Sequence, residues 1–215
     1  MDLPIPNREA AGLALAHALA ARQPRPPILV LALPRGGVPV AAAIAETLDA
    51  ELDLLTVRKL GYPGHKELAM GAIASGGVKV LNEELLASYP VSDEAMARVL
   101  AEEQAELERR ERAYRGERPW PELKGRLVIV VDDGVATGAT MLAALDAVRS
   151  QGPEALWVAV PVAPPDTVDR LKKRADKVVC LATPEPFMAI GQWYRDFSQT
   201  SDSEVLALIQ AAWRR

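Results

Sequence analysis

Apolar residues fall along this chain in two rhythms, and their alternation predicts its architecture. Short runs of branched and aliphatic residues recur at Ile28 to Leu33, Leu52 to Val57, Leu127 to Val131, Ala155 to Val160 and Lys177 to Leu181. Runs of that length suit strands buried on both faces, as in a parallel sheet. Between them lie segments with helical spacing. These are Ala10 to Ala21 opened by Asn7, Val38 to Leu48 with Pro39 in its first turn, a stretch in which Met141, Leu142, Leu145 and Val148 share a face, and Pro165 to Arg174. Strand alternating with helix predicts an α/β fold, a mostly parallel twisted sheet flanked by helices.

Two segments depart from that alternation. Met70 to Ser75 and Val78 to Leu81, joined by Gly76-Gly77, read as a hairpin, and the preceding LGYPGHKELAMG, residues 60–71, is rich in turn formers and reads as a loop. Asn82 then caps a short helix to Tyr89, and Ser92 caps a long one from Asp93 to about Arg115. Along the long helix Glu106 and Arg110, Glu108 and Arg112, and Glu111 and Arg115 fall four apart, a largely solvated face. Met96, Val99, Leu100, Leu107 and Tyr114 leave it a narrow apolar stripe, expected to pack lightly against the core or against a second subunit in a homodimer. The expected organisation is one domain over residues 1–215, a helical insertion at 83–118, and a hood with a final helix at 183–215. Ser201 and Glu204 form a capping box for that last helix.

Composition narrows the classes. With 215 residues, 49% of them hydrophobic, the chain can bury one sizeable core. A net charge of −4 with dispersed Lys and Arg argues against a nucleic-acid partner. No apolar run reaches the roughly 18 residues of a membrane span, and Asp2, Glu9 and His17 disfavour a signal peptide in the Ala-rich start. A cytoplasmic protein is expected. The single cysteine, Cys180, cannot form an internal disulfide and reads as a packing residue in a reducing compartment.

The densest chemistry lies in Val128 to Met141, VIVVDDGVATGATM. A buried strand closes on Asp132 and Asp133, a loop of small residues follows, and a helix begins. Small residues let the backbone approach a ligand, while the helix start aims unpaired N–H groups and a positive dipole end at the same point, so the loop suits a phosphate. Thr137 and Thr140 add hydroxyl donors, and Gly138 can take a backbone conformation closed to other residues. Carboxylates accept hydrogen bonds from vicinal hydroxyls, so a sugar phosphate satisfies both halves of the stretch.

VVDDGVATGAT resembles the ribose-phosphate signature of the type I phosphoribosyltransferases. The resemblance implies transfer of ribose 5-phosphate from phosphoribosyl pyrophosphate to a nitrogen nucleophile, with release of pyrophosphate, in nucleotide metabolism. It implies that Asp132 and Asp133 hold the ribose hydroxyls and that Ala136, Thr137, Gly138, Ala139 and Thr140 cradle the 5′-phosphate. Mg²⁺ is expected mainly through substrate and water, with no dedicated protein ligand set. Pro34-Arg35-Gly36-Gly37 is similar to the family's pyrophosphate loop, which gives Gly36 and Gly37 the role of backbone donors and Arg35 that of a flanking charge. Arg58 and Lys59 match the basic stem of a mobile loop, Lys59 and Arg35 being expected to stabilise the leaving group. Phe187, with Trp193 second, is the candidate to stack on a flat acceptor in the hood. Members acting on 6-oxopurines usually carry an acid at the place of Ala136, so a hypoxanthine or guanine acceptor is disfavoured. The alternative is a regulatory protein that binds phosphoribosyl pyrophosphate without catalysis. A nucleotide hydrolase is disfavoured, because neither GxxxxGK[ST] nor GxGxxG occurs.

Overall fold

The apolar runs become the strands of one parallel sheet: β1 (Ile28–Ala32), β2 (Glu51–Leu54), β6 (Leu127–Val131), β7 (Ala155–Val162) and β8 (Lys177–Ala182), in the order β2-β1-β6-β7-β8. Every residue of β1 and β6, the two strands that precede the glycine-bearing loops, is buried. Continuous apolar sequence is what such central strands require. Helices α1 (Arg8–Ala20), α2 (Gly37–Thr47), α5 (Ala139–Arg149), α6 (Pro165–Lys172) and α7 (Asp202–Trp213) complete this part of the molecule, with a 3-10 turn at Ile190–Trp193. The computed structural model describes residues 3–214.

Helix starts fall where their local signals place them. The Asn7 side chain accepts from Ala10 N–H at 2.8 Å. Ser201 and Glu204 satisfy each other's backbone amides in a capping box at α7. Each cap supplies an acceptor to a donor that the first turn leaves unpaired.

Contacts divide the chain into Met1–Leu55 with Pro121–Arg215, which holds the parallel sheet, and Thr56–Trp120. The second unit carries a three-stranded antiparallel sheet, β3 (Val57–Tyr62), β4 (His65–Ala74) and β5 (Val78–Leu81), with α3 (Glu83–Ser88) and α4 (Asp93–Arg115). Residues 83–118 therefore share a unit with the strands before them. Two expectations need correction here. Leu52 to Val57 is not one strand, since β2 stops at Leu54 and Val57 opens β3 by pairing with Ala74. Nor is LGYPGHKELAMG a loop. It forms most of a hairpin in which Tyr62 faces His65 around Pro63-Gly64. The register shifts on either side of Gly61, so the bulged strand loses the two-residue alternation that would have marked it as a strand.

The long helix α4 is better anchored than its narrow stripe suggested. Leu107 is 2% exposed and joins Leu60, Met70 and Ile73 in the second unit's core, with Met96, Val99 and Leu100 packed around them. On its outer face, Arg109 and Arg110 both donate to Glu106 at 2.7 Å and pull its carboxyl down to about 2. Cys180 is half-buried in β8, where burial pushes its thiol up to about 11, away from reactive thiolate. No described helix is long and apolar enough to cross a membrane.

Leu107→Ala should therefore cost about 2–4 kcal/mol in urea unfolding, the usual range for a truncated core leucine. A loss below about 0.5 kcal/mol, typical of a surface site, would show that α4 is a solvated helix.

Candidate active site

Because β1 and β6 are parallel neighbours, with Ala32 opposite Val131, the loops that follow them leave the same edge of the sheet side by side. Leu33 N–H donates to Val131 O at 2.9 Å and carries the pairing into the loops. The turn Arg35-Gly36-Gly37 then folds across the acid pair. A Cβ on Gly36 would overlap Asp133 Oδ2, and one on Gly37 would lie 2.7 Å from Val131 O and 3.0 Å from Asp132 Cα. Gly36 has φ −62° and ψ −30°, which any residue adopts, so glycine is required there for space and not for conformation.

Asp133 is 7% exposed. Its Oδ2 accepts from Arg8 Nε at 2.8 Å, and its carbonyl oxygen accepts from Tyr194 Oη at 2.6 Å. Asp132 Oδ1 accepts from the Asp133 N–H at 2.8 Å. Each carboxylate thus spends one oxygen on the protein. Burial pushes both carboxyls above the ordinary aspartate value, with Arg8 opposing the shift at Asp133. Asp132 is pushed further, because the charge of Asp133 adds to burial.

The phosphate-type loop reaches α5 through Gly138, which has φ +80°. That left-handed conformation costs a residue with a Cβ about 1–2 kcal/mol. Thr137, Ala139 and Thr140 are exposed, and Ala136 is half-buried beside them. Val135 N–H donates to Val162 O at 3.0 Å and ties the loop's first half to the end of β7. Arg35 extends toward α7, its Nη1 3.7 Å from Asp202 Oδ1, with both side chains substantially exposed.

The aromatic segment comes close to the acids. Ile190 Cγ2 lies where a Cβ on Gly134 would fall, at 2.5 Å. Phe187 is half-buried and tilts on Trp193 with ring centroids 6.0 Å apart, and both pack on the cluster of Ile5, Ala11, Val162 and Tyr194. Arg58 and Lys59 lie in β3, in the Thr56–Trp120 unit. There Arg58 forms a 2.6 Å ion pair with Glu103 on α4, while Lys59 is exposed. Among the described residues no three His, Cys, Asp or Glu side chains cluster as a metal ligand set, and hard oxygens of the acid pair are what this site offers a cation.

Two residues that touch Asp133 carry no sequence signal. Arg8 lies 125 positions from it and also donates Nη1 to Ser198 O at 2.6 Å, with its guanidinium 4.1 Å from the centroid of Phe197. Tyr194 reads in sequence only as one of several clustered aromatics, and its hydroxyl is pushed up by burial.

An acid pair beside a helix start, on the carboxyl edge of a parallel sheet flanked by helices, places the chain among the α/β proteins of type I phosphoribosyltransferase fold. The phosphoribosyl transferase domain family matches residues 3–192, and the chain belongs to it. Over 208 residues, 97% of its length, the chain is 47% identical to Rv0571c of Mycobacterium tuberculosis strain H37Rv, provisionally named a phosphoribosyl transferase, and equally to MT0597 of strain CDC 1551. The chain spans about half the length of these relatives, 47% of each. It is 44% identical to the crystal structure of TT1426 from Thermus thermophilus, with a TM-score of 0.88, covering 98% of this chain and 99% of that one.

An acid whose pKa rises on folding removes stability as pH climbs, because the unfolded chain releases the proton from near 3.8 while the folded chain still holds it. Asp132→Asn should therefore raise the thermal midpoint at pH 7.5 by about 2–6 °C. The gain should shrink as pH falls toward about 4. Equal midpoints for the two proteins at pH 7.5 would mean that burial does not strain this carboxylate.

Proposed function

We propose that this chain transfers ribose 5-phosphate from phosphoribosyl pyrophosphate to a nitrogen nucleophile, a nucleobase or similar small molecule, and releases pyrophosphate. The observation that carries this reading is the close approach of Gly36 and Gly37 to Asp132 and Asp133 beside the start of α5. It brings a glycine turn with Arg35 beside it, two carboxylates and a helix N-terminus to one edge. Those parts answer, in order, to a pyrophosphate, a diol and a monophosphate.

In the proposed reaction the bond from the ribose anomeric carbon to pyrophosphate breaks, a bond from that carbon to nitrogen forms, and the nitrogen gives up a proton. Positive charge develops on the sugar and negative charge on the leaving group. Asp132 and Asp133 hold the two ribose hydroxyls and place their own charge near the developing cation. Gly36 and Arg35 receive the departing anion, whereas Gly37, whose N–H is already given to Leu33 O at 3.1 Å, serves by leaving space and not as the expected donor. Ala136 to Thr140 anchor the 5′-phosphate, so catalysis is positional and electrostatic. Mg²⁺, bound mainly through the diphosphate and water, would supply positive charge to the leaving group. Arg58 and Lys59 enter this reading by resemblance alone, and the guanidinium of Arg58 is already engaged by Glu103. Ala136 cannot move a proton, so the acceptor must lose its own to solvent or to another base.

Pyrophosphate release from phosphoribosyl pyrophosphate with Mg²⁺, across a panel of bases and small amines, tests the reaction. Asp132→Asn should lower kcat/KM about 10- to 100-fold, the range for losing hydrogen bonds to a charged group. It is a cleaner probe than Asp133→Asn, which would also strand Arg8. Binding without release on every acceptor would replace the enzyme by a regulatory protein that senses the activated sugar.

Phe187 is the proposed stacking surface for the acceptor. Phe187→Ala should raise the acceptor KM about 3- to 10-fold and leave the KM for phosphoribosyl pyrophosphate within twofold, in line with the worth of one aromatic contact. Equal rises in both would make Phe187 a packing residue of the hood.

A further inference from the structure

Helix α6 lies outside every motif used so far, yet two of its side chains reach the phosphate-type loop. Thr167 is 1% exposed, and its Oγ1 donates to Ala136 O at 2.7 Å. Arg170 donates Nη2 to Thr137 O at 2.7 Å and to Thr167 Oγ1 at 2.9 Å. Because a guanidinium can only donate, the Thr167 hydroxyl must accept from Arg170 and give its own proton to Ala136. The three groups therefore have a single hydrogen-bonding arrangement. The Thr167 methyl also supports Gly138, sitting 3.0 Å from where a Cβ there would fall.

We infer that Thr167 and Arg170 are positioning residues that set the anion-binding geometry of the 136–140 loop. In a trans peptide the carbonyl and the following N–H point in opposite directions, and neither the 136–137 nor the 137–138 bond is among the cis peptides. Holding the carbonyls of Ala136 and Thr137 toward α6 therefore turns the amides of Thr137 and Gly138 away from it. Those amides have no hydrogen-bond partner among the described residues. They precede the first-turn amides of Ala139 and Thr140, which a helix start leaves unpaired. The result is a run of four consecutive donors whose first two are aimed by side chains some 30 residues downstream. Arg170, with its side chain 45% exposed and Nη2 3.9 Å from Asp166 Oδ2, places a partly compensated positive charge behind the loop.

This inference rests on reading the loop as a phosphate cradle. Its test uses the full chain with Mg²⁺ and measures the Kd of ribose 5-phosphate and of pyrophosphate separately by calorimetry. Thr167→Val keeps shape and removes the donor. It should weaken ribose 5-phosphate about 5- to 10-fold with pyrophosphate unchanged, and Thr167→Ser should restore binding to within about twofold. Should Thr167→Val fail to fold, Arg170→Gln at its half-exposed position provides the same comparison. Unchanged ribose 5-phosphate binding in the variant overturns the positioning role, as does equal weakening for both ligands. If the unaltered protein binds pyrophosphate but no ribose 5-phosphate, the phosphate-cradle reading falls, and the positioning role with it.

Discussion

A carboxylate held almost out of water governs how this site is built. Asp133 cannot stay ionised there without a cation, and Arg8 supplies it, with a side chain only 12% exposed. Arg8 must in turn be satisfied. Its second nitrogen goes to Ser198 O and its flat face to Phe197, which contacts Tyr194 at a centroid distance of 5.0 Å. Tyr194 closes the circuit by donating to the Asp133 carbonyl. Backbone bonds reinforce it, since Ile5 N–H donates to Trp193 O and Arg195 N–H to Ile5 O, both at 2.8 Å. The start of the chain and the segment before α7 are thereby fastened around one residue, and Gly36 occupies the side they leave open.

The two acids are adjacent but not equivalent. Asp133 has a guanidinium against it, and Asp132 has only a backbone N–H. Burial raises both, and the negative charge of Asp133 raises Asp132 again. On the proposed reading Asp133 is the acid whose charge the protein compensates, through Arg8, while Asp132 depends on charge that a bound ligand supplies.

Features coded locally were legible in the sequence. The caps at Asn7, Asn82, Ser92 and Ser201, the all-apolar runs of β1 and β6, and the order strand, acids, small loop, helix all depend on residues within a few positions of one another. What escaped depends on long-range geometry or on broken periodicity. The β3–β4 hairpin is interrupted at Gly61, and neither of its halves shows a clean alternation. Arg8 stands 125 residues from Asp133, and Thr167 stands 31 from Ala136. Nothing in the residues around an Arg or a Thr marks such a partner, because the fold alone brings it there.

That division also explains why the motif is composed of such small side chains. Glycine and alanine at 36–37 and 134–139 contribute backbone, and backbone alone does not fix its own direction. Direction comes from larger side chains placed behind it, Arg8 behind the acids and Thr167 with Arg170 behind the anion loop. The parts proposed to handle charge are therefore braced from several elements of the parallel-sheet unit. The segment proposed to meet the acceptor is not braced in the same way: Phe187 is half-buried, and Met188 beside it is 82% exposed. The inner residues of that segment are tied to the acids all the same, Phe187 through the Tyr194 cluster and Ile190 against Gly134, so on the proposed reading acceptor choice can drift most freely at outward positions such as Met188.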